Sequence, residues 1–234
     1  MPLPFDDYTI KARVWPSFLI CSPVLIFGPI VAFKVFDLVQ ACVGSAIIGS
    51  AIIALMSAVI RQLGVSQEAH LFEIWGGPPS TKIMRWRDKR WSQEYKIKMH
   101  ALVKDRLGIE LLSDNAERKD PKTADKITAE AFMILRNKLR GNSKILNHQD
   151  NIDYGFARNI YGARWLWILF SLFSIFMLIV FSKAVGHEML HLELWFAFFY
   201  LIAIIFVEWG IMRKHIEHCA MRYVESAWNQ LSVS

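Results

Sequence analysis

The chain has 234 residues, of which 54% are hydrophobic, and it carries 27 Lys and Arg against 21 Asp and Glu, for a net charge of +6. Apolarity and charge this high together exclude a small soluble domain with an evenly mixed surface, because the two must be segregated along the chain. The cysteines Cys21, Cys42 and Cys219 are scattered without disulfide or zinc spacing, which excludes a disulfide-stapled scaffold.

Residues Met1–Arg13 form a polar tail in which Asp6 and Asp7 open an interfacial helix. A first apolar stretch, Val14–Lys34, has about the twenty residues a helix needs to cross roughly 30 Å of hydrocarbon. It is too long for a signal peptide and lacks a small-x-small cleavage site. Pro23 and Pro29 each remove a backbone donor inside it, so a kink or break is expected, either for packing or as a gating hinge.

The second stretch, Phe36–Ile60, is rich in small residues at four-residue spacing. One stripe holds Ala46, Ser50, Ala54 and Ala58, and another Ala41, Ser45 and Gly49. Such faces let helix backbones approach closely, which favours association in lipid. The span is expected at a helix–helix interface, within one chain or between copies, or lining a narrow pore with Ser45, Ser50 and Ser57.

Residues 61–163 form a basic, mostly helical segment large enough for its own core. It opens with Trp75-Gly76-Gly77-Pro78-Pro79-Ser80-Thr81, a rigid loop followed by Lys82, Arg85, Arg87, Asp88 and Arg90. A helix beginning near Lys82, capped by Ser80 or Thr81, presents free N–H groups to an anion, and the basic side chains deepen that potential. The spacing is not that of a Walker A loop. The bland reading is a capping turn with solvated arginines.

Helical spacing continues over Lys82–Leu107 and ends at Gly108; Asp120-Pro121 reads as a cap followed by Pro at the first helical position of the next helix, which stops at Gly141. A last helix, Ser143–Tyr161, carries Asp153, Arg158 and Asn159, expected either to pair with the basic loop or to form an elbow before the third span.

The third and fourth apolar stretches are Trp165–Phe181 and Leu190–Met212. Between them, His187-Glu188-Met189-Leu190-His191 matches the H-E-x-x-H pattern of zinc peptidases, with His187 and His191 as ligands and Glu188 as base. The motif sits at a short connection with no domain to enclose a substrate, so the chain does not read as an enzyme and no cofactor is called for. Glu208 is the ionisable residue committed to a span, paired with Arg164 or Arg213 or ringing a cation path in an oligomer. Residues 213–234 continue the fourth helix as an amphipathic tail.

All Lys and Arg but Lys34 and Lys183 lie in the tails or in Arg61–Arg164. By the positive-inside rule, both termini and the middle segment are cytoplasmic. The expected architecture is an all-α membrane protein with four transmembrane helices in a 2+2 arrangement and a helical cytoplasmic domain inserted between the pairs. Its segments are 1–60, 61–163, 164–212 and 213–234.

Trp75–Thr81, Arg85-Trp86-Arg87-Asp88 and Tyr154–Asn159, the last just ahead of a span, together resemble a group of bacterial four-span membrane proteins of anti-phage defence type. The resemblance implies an effector of the inner membrane that compromises the bilayer when a cytoplasmic signal is sensed. The expected function is a homo-oligomeric channel gated by an anionic, nucleotide-like or nucleic-acid ligand at Gly76, Gly77, Ser80, Thr81, Lys82, Arg85, Arg87, Arg90 and Arg158. The alternatives are a membrane zinc peptidase and a non-conducting scaffold that docks cytoplasmic protein partners.

Overall fold

The computed structural model describes residues 6–32, 38–139, 146–185 and 191–232, and these are all-helical with no strand among them. A short helix (Asp7–Thr9) and a π-helical turn (Ile10–Val14) lead into α1 (Trp15–Ala32). Then come α2 (Leu38–Ser66), α3 (Glu68–Ile74), α4 (Pro79–Lys82), α5 (Gln93–Leu107), α6 (Asp114–Lys119), α7 (Pro121–Leu139) and α8 (Leu146–Gly162). The chain ends with α9 (Arg164–Val185), α10 (His191–Phe206), a second π turn (Val207–Met212), α11 (Arg213–Asn229) and a 3-10 turn (Gln230–Ser232).

Among the described residues four helical stretches are long and apolar enough to cross a membrane; they begin at Asp7, Ala46, Arg164 and His191, with mean hydropathy 1.4, 1.9, 2.3 and 2.1. Helices suit this environment because every backbone group is paired within the segment. The chain divides into two compact units, Met1–Gln67 with Gly155–Ile216 and Glu68–Tyr154 with Glu217–Ser234.

In the first unit α1 packs against α2 and α9, and α9 packs against α10. Its interior is apolar, with Phe27 meeting Leu178 and Ala197. The helix α1 continues through Pro23 and Pro29 without the break that was one of the two outcomes expected there. Pro23 has no N–H for the Leu19 carbonyl four residues back, and the Ser22 hydroxyl donates to that carbonyl instead. The departure from α geometry comes earlier, at the π turn before Pro16.

The second unit is built around Trp228, which is fully buried among Ile83, Met84, Phe132 and Leu135. Phe132 meets the Trp228 ring at 5.3 Å, and Trp228 Nε1 donates to the Ser80 carbonyl at 3.2 Å. Tyr95 reaches the same region, its hydroxyl donating to Asn229 Oδ1 at 2.7 Å. Helix α5 starts at Gln93, later than the periodicity suggested, because the Ser92 side chain accepts from Tyr95 N and caps it. It ends at Gly108, whose φ of +71° is the left-handed conformation that favours glycine. Asp120 caps α7 by accepting from Thr123 N at 3.1 Å. The expected stop at Gly141 lies outside the described residues.

Candidate functional site

The most distinctive surface of the first unit belongs to α2. Only 11% of its apolar window is buried, against 39% for the first span and 22% for each of the last two. Ala46, Ser50, Ala51, Ala54 and Ala58 are exposed along it. Gly49 is the buried exception, because a Cβ there would stand 2.9 Å from Leu25 Cδ2 of α1. A groove of about 770 Å³ opens between α1 and α2, lined by Phe18, Ser22, Leu25, Pro29, Gly49 and Ser50 among others. Pro23 is buried beside it. The Ser50 and Ser57 hydroxyls donate back to the Ala46 and Ala54 carbonyls, both at 2.8 Å, and keep their lone pairs to accept. Ser45 lies within α2, and its side chain is outside the described set.

At the other end of α2 the backbones of two helices touch. A Cβ on Gly162 of α8 would come within 2.5 Å of Gly64 Cα. Asn159, fully buried beside this crossing, donates from Nδ2 to the Ala12 carbonyl at 2.6 Å. That carbonyl precedes Pro16 by four residues, so Pro16 offers it no N–H. Arg158 donates in turn to Asn159 Oδ1 at 3.3 Å. Asn159 is therefore spent on a carbonyl of the π turn just before Pro16, a role in no local motif.

Glu208 lies on the second π turn, 3% exposed, and neither carboxylate oxygen has a hydrogen-bond partner. Arg164 is close enough to act on it electrostatically. The Arg164 guanidinium is engaged elsewhere: it donates to the Tyr161 carbonyl at 2.7 Å and stacks 4.1 Å over the Tyr161 ring.

In the second unit the Trp75–Arg90 stretch is a self-bonded turn. Gly76 and Gly77 take φ of +77° and +129°, values that exclude a side chain without strain. Arg85 makes a two-pronged pair with Asp125, at 2.8 and 2.7 Å, and donates to the Gly76 carbonyl. Lys82 Nζ donates to the Trp75 carbonyl at 2.8 Å, and the Thr81 hydroxyl to the Pro78 carbonyl at 3.0 Å. The Ser80 carbonyl is taken by Trp228. Helix α4 spans only 4 residues, so it supplies little dipole. Arg87 and Arg90 remain exposed, Arg90 lying 3.9 Å from Glu217. The expected anion seat thus turns most of its donors inward, and only Arg87, Lys89 and Arg90 face out as cations.

Residues 85–88 are held from below by Lys96, which has no exposed surface. Its ammonium donates to the Arg85 carbonyl at 2.7 Å, the Trp86 carbonyl at 3.2 Å and the Asp88 carbonyl. Burial lowers the Lys96 pKa, and the Asp88 and Glu117 carboxylates oppose that shift. His100 packs its ring 4.4 Å from Trp86 and donates from Nε2 to the Met84 carbonyl at 3.2 Å. Burial lowers its pKa too. Asp153, a candidate either for the basic loop or for an elbow before the third span, takes Arg222 at 3.0 Å, and Asp150 takes the same guanidinium at 2.6 Å.

Of the zinc-peptidase pattern, His187 and Glu188 lie outside the described residues, and His191 is the exposed first residue of α10. Among the described residues no three His, Cys, Asp or Glu come together as metal ligands. No family model, curated protein or solved structure matches this chain.

Proposed function

We propose that the protein is a homo-oligomeric channel of the bacterial inner membrane, opened from the cytoplasm through its helical second unit. The observation that carries the reading is the surface of α2. A span with so little cover inside its own chain, and with Ala46, Ser50, Ala54 and Ala58 exposed beside the bulkier Ile47, Ile48 and Leu55, suits close contact with a second helix along its small-residue stripe. In lipid there is no hydrophobic gain in burying a helix, so the approach that small residues allow is what holds copies together. The self-bonded Ser50 and Ser57 would then offer oxygen lone pairs along a path between copies.

The topology that fits is two spans, the basic segment, then two spans, with both termini cytoplasmic, and the segregation of Lys and Arg supports it. Arg87, Lys89 and Arg90, presented by the turn that Lys96 anchors, would receive an anionic nucleotide-like or nucleic-acid signal. A ligand need supply only about 1–3 kcal/mol of difference between closed and open states to shift such an equilibrium. The resemblance in Trp75–Thr81 and Tyr154–Asn159 supports a role as an anti-phage effector.

The test is ion flux through the purified protein in liposomes. Flux that disappears in Gly49→Leu, with the assembly intact, supports the reading. A folded, reconstituted protein that passes no ion under any nucleotide or oligonucleotide added sinks it.

A further inference from the structure

Among the described residues Glu208 is the carboxyl with both oxygens buried and unpartnered, and the fold leaves that state unexplained. It is buried in an apolar span and both its oxygens lack a hydrogen bond. An ionised carboxylate without partners in such a place costs several kcal/mol, so it persists only where something is bound to it or where it has a task. The backbone there is a π turn, a rare conformation that is frequent at functional sites.

The charged and titratable groups of the elements packed around it are few. Arg164 on α9 acts on it, but its guanidinium is held by Tyr161. Trp165 of α9 meets Trp209 of this turn at 5.7 Å, an aromatic contact that brings no second acid or base. Lys183, at the far end of α9, and Glu193, near the start of α10, are too distant along their helices: Glu193 alone is about 22 Å away at 1.5 Å per residue. Arg213 and Lys214 follow on the same helix and are exposed. Helix α1, which also packs on α10, brings no acid or base apart from the Cys21 thiol.

We infer that Glu208 is a reversible proton-binding site within the membrane, and that the ion it takes is H⁺ rather than a metal cation. A metal cation needs several oxygen ligands at once. Among the described residues no set of three His, Cys, Asp or Glu comes together. A lone carboxyl suits the one cation that needs a single ligand. The bond formed is O–H on a Glu208 oxygen; the proton comes from water and returns to it, and nothing is oxidised or reduced. The inference stands apart from the channel reading, because the ion is named from the ligands present and proton binding requires no flux.

The test is labelling of the full-length protein in liposomes with dicyclohexylcarbodiimide, which adds to protonated carboxyls in apolar surroundings, read by peptide mass spectrometry. The expected result is an adduct on Glu208 whose rate falls about tenfold for each pH unit above its midpoint and does not change with sodium or potassium at fixed pH. An infrared carbonyl band of a protonated acid, present in the wild type at low pH and missing in Glu208→Gln, is expected alongside it. An absent Glu208 adduct at every pH overturns the inference, and so does protection by sodium or potassium, which marks a metal-cation site. Labelling needs no variant, so a poorly folding Glu208→Gln leaves the test intact. A protein that labels but does not conduct loses the channel reading alone, and one that conducts without labelling loses the proton site alone.

Discussion

Asn159 shows how one side chain can settle a problem created far away in the sequence. Pro16 has no N–H to offer the Ala12 carbonyl four residues back, and a bare carbonyl in an apolar bundle costs about 1–3 kcal/mol. The Asn159 amide meets it at 2.6 Å and takes the Arg158 guanidinium on its other atom. Asn159→Leu keeps the volume and removes the donor, so its thermal unfolding in detergent should move to lower temperature by an amount equivalent to about 1–3 kcal/mol. An unchanged midpoint would mean that another group serves Ala12. His100 makes a different residue-scale prediction, one of sign. Burial holds its folded-state pKa below the ordinary 6.5, so on acidification the unfolded chain takes the proton first. Stability is therefore unaffected at neutral pH and declines as pH falls below about 6.5. His100→Gln keeps a donor for the Met84 carbonyl and cannot titrate. Chemical denaturation followed by tryptophan fluorescence should show a shallower loss of stability between neutral and mildly acid pH in that variant than in the wild type.

At the scale of elements, the apolar spans could be read from sequence because twenty-residue hydrophobic runs leave few alternatives. The caps at Asp120 and Gly108 were equally legible, since their chemistry is local. What periodicity missed is where the chain bonds to distant carbonyls. The stretch Lys82–Trp91 has helix-compatible spacing, but Lys96 collects three of its carbonyls and Trp86 Nε1 donates to the Leu112 carbonyl at 2.8 Å, fixing turns instead. The basic loop looked like an anion seat for the same reason: sequence displays Arg85 and Lys82 but not Asp125 or the Trp75 carbonyl that occupy them. Small residues on α2 were visible as a stripe, whereas the crossing of α2 and α8 pairs Gly64 with Gly162, too far apart in the chain to form any pattern. That crossing is testable. An alanine at Gly162 would put its Cβ 2.5 Å from Gly64 Cα, and backbone cannot swing aside as a side chain can. Gly162→Ala should destabilise by about 1–3 kcal/mol, read as a lower unfolding midpoint, while alanine at Gly28, which has nothing within 4 Å of its would-be Cβ, should leave the midpoint unchanged or raise it.

For the whole molecule, the question is what covers α2. Lipid alone is a poor neighbour for Ala46, Ala54 and Ala58, because small side chains leave the acyl chains fewer contacts and expose more of the helix backbone. The aromatic surface of α9 and α10 is the opposite case: Phe173, Phe176, Phe196 and Phe199 are exposed and bulky, as a lipid-facing wall should be. The two surfaces therefore make a paired prediction within one protein. With the native cysteines replaced by serine, a single cysteine at Ala54 or Ala58 should cross-link copies of the chain in native membranes under mild oxidation, giving a dimer on denaturing gels. A single cysteine at Phe176 or Phe199 should give none above background. If the aromatic positions cross-link and the alanines do not, the copies meet through the wrong wall and α2 cannot line a path between them. If all positions stay monomeric in membranes where the protein conducts, each chain must carry its own path, and the groove between α1 and α2, about 770 Å³ and already open beside Gly49, becomes the place to look for it.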